Sequence, residues 1–284
     1  MTIQARSIHT IAPLREQRIG ERLMTRDAQT GLIGADLDPF IMVSFYAMRG
    51  PTFPPHPHAG FMVATYILPE SRIGFINQDS LGTRNRIAPG ALHVTVAGRG
   101  VLHEEQPEQE GDLAEGFQIW IDLPEAERES APHSLHLPAD DVPRLSQSGL
   151  DLRVVAGEQA GARSPLRLPT AISLLDVTLA PDAEEWIALP HGERPFAFML
   201  GGSLRAGQQE VGAGRLVCWD EDGDGIALKA GMSGARFTLF SGGPLRQRRA
   251  MRGPFVASNE AQLARFGSDF AAGRFGTLRP LSAG

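Results

Sequence analysis

Two short segments carry residues whose types and spacing suit metal chemistry, His56-Pro57-His58 and His103-Glu104-Glu105. On an extended backbone, residues two apart project from the same face. His56 and His58 therefore point inward together, as do His103 and Glu105, with Glu104 on the opposite face. Pro57 stiffens its segment and, lacking an N–H, fits an edge or strand-entry position. On neighbouring strands the two pairs supply three imidazoles and one carboxylate, a donor set that suits a divalent first-row metal such as Fe, Mn, Co, Ni or Cu. Four protein ligands leave two positions of an octahedral ion open, which separates a catalytic site from a closed structural one. Either pair alone reads more readily as unrelated polar residues at a loop edge. Both together, each beside a glycine turn (Ala59-Gly60; Gly98-Arg99-Gly100), favour one metal ion bound by His56, His58, His103 and Glu105.

Positioning these pairs requires strands, and the surrounding sequence offers them. Short apolar runs at Phe40–Ala47, Gly60–Leu68, Ser71–Ile76, Leu92–Ala97 and Phe117–Leu123 are separated by Gly, Pro or Asn turns. Gly60–Leu68 is nearly continuous in apolar residues, as a strand buried on both faces should be. From Ser130 to Pro169 the chain turns rich in Pro, Ala, Ser and Asp, with one strand-like run at Leu152–Ala156, and reads as a crossover. The strand style then resumes at Ile172–Leu179, Glu185–Leu189, Phe196–Leu200, Leu216–Trp219 and Arg236–Phe240. The expected fold is all-β, with two related barrels in tandem: residues 1–130 carry the metal, and residues 131–284 form a second barrel without ligands. One helix closes it. Asn259 caps the start, Leu263, Phe266 and Phe270 share a face, and Gly273 ends it.

The bulk numbers exclude several classes. A net charge of −6 lacks the basic footprint of a nucleic-acid binder. A single cysteine, Cys218, rules out an internal disulfide framework and fits a reducing compartment. No run approaches the ~20 apolar residues of a membrane span, and the N-terminus has no apolar signal core. The expectation is a cytoplasmic protein, and the near-exclusive use of Arg over Lys (Lys229 is the one lysine) fits a GC-rich bacterial coding bias.

Weaker signals read as structure. Asp220-Glu221-Asp222-Gly223-Asp224-Gly225 opens like a calcium loop, but its twelfth position is Gly231 where Glu is needed, so an acidic hairpin turn is expected. Arg246, Arg248, Arg249 and Arg252 read as solvated arginines, and Cys218 as a buried small apolar residue. His93 reads as a core or surface residue before a partner of the metal site.

The stretch FPPHPHAGFMVATYIL resembles the first metal motif of the pirins, a bicupin family, and IAPGALHVTVAGRGVLHEEQP resembles the second. GFQIWIDLP, LDPF, DSLG, LRVVAGEQAGARSPL and RGPFVASNEAQL extend the likeness over most of the chain. The resemblance implies two tandem cupin barrels and places the family's iron ligands on His56, His58, His103 and Glu105. It also exposes departures. Ala59 stands where the family has Arg, Met62 where it has Glu, Gln78 where it has His, and Val94 where it has an aromatic residue.

Pirins resemble quercetin 2,3-dioxygenases, which implies a metal-dependent enzyme opening flavonols with dioxygen and releasing carbon monoxide. Iron is the implied cofactor, with Mn, Ni, Cu or Co as alternatives. Glu105 is then either the proton acceptor or a plain fourth ligand. Inward residues Phe45, Phe53, Phe61, Val63 and Phe117 are the candidate substrate walls. The alternatives are a non-enzymatic metal- or redox-sensing role with a protein partner, or a cupin enzyme acting on another small aromatic or enediol substrate.

Overall fold

Strand-forming runs punctuated by turn residues fold as sheets throughout the computed structural model, which describes residues 3–206 and 209–281. They form two compact units. In the N-terminal unit a seven-stranded antiparallel sheet runs in the order His133–Leu137, Leu92–Val96, Phe61–Ile67, Ala114–Asp122, Phe40–Met48, Leu23–Gln29, Glu16–Ile19. A four-stranded sheet of the same unit runs His56–His58, Val101–Pro107, Phe75–Asp79, Arg84–Ile87. Every residue of Phe61–Ile67 is buried, which is why its sequence reads as a continuous apolar run.

The C-terminal unit is a nine-stranded sheet. Its central strand, Gly225–Gly242, is far longer than the Arg236–Phe240 core that apolarity alone picks out. Leu152, Val154, Leu175, Val177, Met199, Val217, Phe237 and Leu239 fill its interior with apolar side chains. The N-terminal unit is also apolar inside, with Phe40, Val43, Val94 and Ile119 fully buried and a cluster around Leu23, Tyr46, Met48, Ile67 and Phe75, and it buries His58, Asn77, His93, His103, Glu104 and Glu105 as well.

Each unit takes in segments from the far end of the sequence. The segment through Arg15, with residues 28–39, joins the C-terminal unit, while Leu245 onward joins the N-terminal one. A single division at residue 130 does not express this exchange. Its cause is strand pairing at long range: Ile8–Pro13 lies antiparallel to Arg215–Trp219. The 130–169 stretch is more ordered than a crossover, contributing His133–Leu137, Arg144–Gln147 and Leu150–Ala156. Residues 71–74 bend outside any strand, with the Ser71 hydroxyl donating to the Ile73 carbonyl at 2.7 Å, and the strand begins at Phe75.

The helix spans Glu260–Ala271, and Asn259 Oδ1 accepts from the Gln262 N–H at 2.9 Å. Leu263 and Phe266 pack with Ala59, Ala257 and Phe275, against Leu102 and Phe255. Ala59 follows His58 and Leu102 precedes His103, so the helix backs both ligand segments. No helix among the described residues is long and apolar enough to cross a membrane. The acidic 220–224 segment is a turn whose carboxylates are taken up locally. Asp222 accepts from the Ser7 backbone N–H and hydroxyl, and Asp224 from the Gln4 N–H.

Candidate metal centre

His56–His58 is an edge strand, which tolerates the missing N–H of Pro57. It pairs antiparallel with Val101–Pro107, setting His103 directly opposite His56 and Val101 opposite His58. The three imidazoles converge, with ring centroids 4.6–4.9 Å apart. One ligand atom from each lies within 4.8 Å of the others, the one such group among the described residues. The glycines beside the motifs are required by packing. Gly60 holds φ +84°, and a Cβ there would sit 1.7 Å from the Val256 carbonyl oxygen; at Gly100 it would sit 2.0 Å from the Phe275 ring.

The donor set fits a cation. His56 Nδ1–H donates to the Pro54 carbonyl at 2.9 Å, so its Nε2 carries a bare lone pair. That Nε2 lies 3.0 Å from His103 Nε2. His103 Nδ1 is buried without a hydrogen-bond partner among the described residues, while the His58 ring has the Pro254 carbonyl beside it. Burial lowers the pKa of all three rings, well below the usual range for His58 and His103. They are therefore neutral at physiological pH, the form that ligates metal. Phe61 and Trp120 meet His58 edge to face, at 5.2 and 5.6 Å, and hold its ring.

Glu105 lies outside the close group of three rings but lines the same cavity. Its Oε2 accepts from Thr65 Oγ1 at 2.6 Å, and Gln118 Nε2 donates to that hydroxyl at 3.2 Å. Burial pushes the Glu105 carboxyl up to about 7, against the lowering effect of the Thr65 bond. On the reverse face, Glu104 is fully buried and accepts from Gln78 Nε2 at 2.8 Å and the Leu281 N–H at 2.7 Å. Gln78 also donates to the Arg279 carbonyl, and Ser80 Oγ to that of Phe275. Residues 275–281 are thus strapped across the back of the ligand strand.

The cavity in front of the histidines has a volume of about 460 Å³, within the range of small-molecule sites. Of the expected walls, Phe53 lines it. Phe45 and Phe117 pack edge to face on each other at 5.7 Å, while Phe61 and Val63 sit in a small core with Val256. The lining residues from the same strands are their neighbours in parity, Met42, Ser44, Tyr46 and Met48, and Gln118 and Trp120. Both faces of these strands are buried, so apolarity gives no parity signal; a one-residue slip reverses every side chain. Ala59, Met62, Gln78 and Val94 are not among the lining residues.

His93 is a core residue 1% exposed, and both its ring nitrogens lack partners among the described residues. Burial, then the neighbouring His136, lower its pKa to about 4. Since the unfolded ring titrates near 6.5, the unfolded chain takes up the proton first. His93 therefore contributes stability above pH ~6.5 that is lost as pH falls through 4, on the order of 3 kcal/mol. Urea unfolding of His93→Leu at pH 7 and pH 4 should show a shallower loss than the parent; equal slopes would refute this. In the C-terminal unit, His191-Gly192-Glu193 repeats a His-x-Glu spacing, but in a turn. There His191 faces Asp224 at 3.3 Å and Glu193 accepts from Ser241, so the two do not converge.

Comparison with known proteins agrees with this geometry. The family model "Pirin" matches residues 23–121, and "Pirin C-terminal cupin domain" matches residues 174–276. Pirin-like protein 2 of Arabidopsis thaliana is 32% identical over 249 residues, covering 84% of this chain and 76% of that protein. The crystal structure of a quercetin 2,3-dioxygenase from Acinetobacter baumannii aligns with a TM-score of 0.87 at 23% identity, over 97% of this chain and 100% of that one. A bacterial pirin from Escherichia coli, solved in complex with nickel(II), aligns with a TM-score of 0.64 at 17% identity, over 83% of this chain and 99% of that one.

Proposed function

This chain belongs to the pirin family, and on that premise we propose that its N-terminal unit is a mononuclear metal centre of quercetin 2,3-dioxygenase type. Such a centre opens the central ring of a flavonol with dioxygen and releases carbon monoxide. The observation that carries this reading is the placement of three neutral imidazoles and a buried carboxylate on the wall of one largely apolar cavity. The shared fold of the Acinetobacter enzyme supports it. His56, His58 and His103 hold the ion, with Glu105 as the fourth donor. Iron is the first candidate; manganese, nickel, copper and cobalt suit the same donors, and the Escherichia coli relative takes nickel(II).

Bound there, a divalent ion supplies Lewis acidity, which eases loss of a proton from an adjacent hydroxyl. The chain does the rest. Leu23, Met42, Met48, Phe53, Phe75 and Trp120 offer apolar surface that takes up aromatic rings and excludes water. The Thr65 hydroxyl holds Glu105 Oε2, which leaves Oε1 as the oxygen available either to the ion or to the proton of a flavonol hydroxyl. Protein loaded anaerobically with Fe(II), Mn(II), Ni(II) or Cu(II) and then given quercetin in air should bleach its near-visible absorbance and release carbon monoxide. Full metal occupancy with no turnover across a flavonol panel would overturn the enzymatic reading and leave a metal-dependent partner role.

A further inference from the structure

One rank of side chains on the inner face of the seven-stranded sheet is polar from strand to strand. Thr65 stands opposite Gln118, and Gln118 opposite Ser44. Ser44 Oγ donates to Asp27 Oδ1 on the next strand, and Gln17 Nε2 reaches Asp27 Oδ2 at 3.4 Å. The adjoining rank on the same face is Val63, Trp120 and Met42. Thr65 bonds Glu105, so the polar rank starts at the metal site. Its cavity-lining members, Gln118, Ser44, Asp27 and Gln17, cross a wall that also includes Ile19, Leu23, Met42, Met48, Phe53 and Trp120. Three strand spacings separate Thr65 from Asp27, on the order of 14 Å, which exceeds the reach of a single substituted ring.

A carboxylate accepts about four hydrogen bonds, and Asp27 receives two from the protein. A half-buried carboxylate in an apolar wall favours a ligand that brings O–H donors to it and disfavours one that brings only C–H. A second observation points the same way. Tyr46 Oη, on the same cavity, is buried and has no hydrogen-bond partner among the described residues.

We propose that Asp27, positioned by Ser44 and flanked by Gln17, is the subsite that binds hydroxyl groups on the part of an aromatic ligand remote from the metal. The cavity then selects polyhydroxylated over unsubstituted polycyclic aromatics. The proposal rests on the reading of this cavity as a flavonol site, but its test does not require turnover. Binding of quercetin and of 3-hydroxyflavone, which lacks the remote hydroxyls, is measured on anaerobic metal-loaded protein by tryptophan fluorescence.

The parent protein should prefer quercetin by ~10-fold or more. Asp27→Ala should bring the ratio of the two affinities close to one, and the isosteric Asp27→Asn should bring it part of the way. A ratio near one in the parent, a ratio unchanged in Asp27→Ala, or no binding of either flavonol overturns the proposal. Selective binding without oxygen consumption in air leaves the subsite standing and removes the dioxygenase reading. Turnover without hydroxyl selectivity does the reverse.

Discussion

His103→Ala should abolish metal binding while leaving the fold in place. His103 is the pivot of the site, 3.0 Å from His56 Nε2 and packed on the His58 ring. Loss of groups that merely orient a metal ligand costs ~10–100-fold in affinity, so loss of a ligand should cost at least ~100-fold. Purified parent protein should hold one equivalent by elemental analysis and His103→Ala essentially none. Ligand binding stabilises the native state by RT ln(1 + [L]/Kd), about 2.7 kcal/mol at a hundredfold excess over Kd. Adding Ni(II) or Fe(II) should therefore raise the melting temperature of the parent but not of the variant. A variant that keeps one equivalent and the full shift would sink the ligand assignment. One that melts far below the metal-free parent would show that the ring acts through packing.

The second large effect lies away from the metal. Arg128 and Asp122 are both 0% exposed and form an ion pair in which Nη2 donates to both carboxylate oxygens, at 2.9 and 3.1 Å. Gln247 Nε2 donates to the same carboxylate at 3.0 Å, tying the segment after Leu245 to this unit. Removing one partner strands a buried charge, at a cost of about 3–5 kcal/mol. Asp122→Ala should lower the transition of the N-terminal unit by roughly 10 °C. The pair replacement Asp122→Leu with Arg128→Met should recover much of that loss, because a buried ion pair contributes little beyond a well-packed apolar pair. Calorimetry of both variants checks this. A single-variant shift of only about 2 °C would mean that the arginine finds water or another acceptor.

Much of the site was legible because strand geometry constrains it locally. The period of two that aligns His56 with His58 operates within three residues, and Ile172–Leu179 forms as its run of apolar residues indicates. The cap at Asn259 likewise depends on neighbours in sequence. What escaped depends on distant partners. Phe45 and Phe117 look like walls, yet parity was settled by register against other strands. Thr65, Gln118, Ser44 and Asp27 are individually ordinary and acquire meaning only as one rank. The hairpin of Glu16–Ile19 and Leu23–Gln29 has no apolar run to announce it, and nothing near Ile8 signals pairing with Trp219.

The strap of residues 275–281 behind the ligand strand bears on how the protein is made. Chains leave the ribosome at ~5–20 residues per second, so His56 and His58 emerge tens of seconds before the residues that Glu104, Gln78 and Ser80 hold. Until then the helix over Ala59 and Leu102 is also missing, and the imidazoles have no backing to fix their convergence. On the proposed function, the metal site is complete only once residues 275–281 have been made.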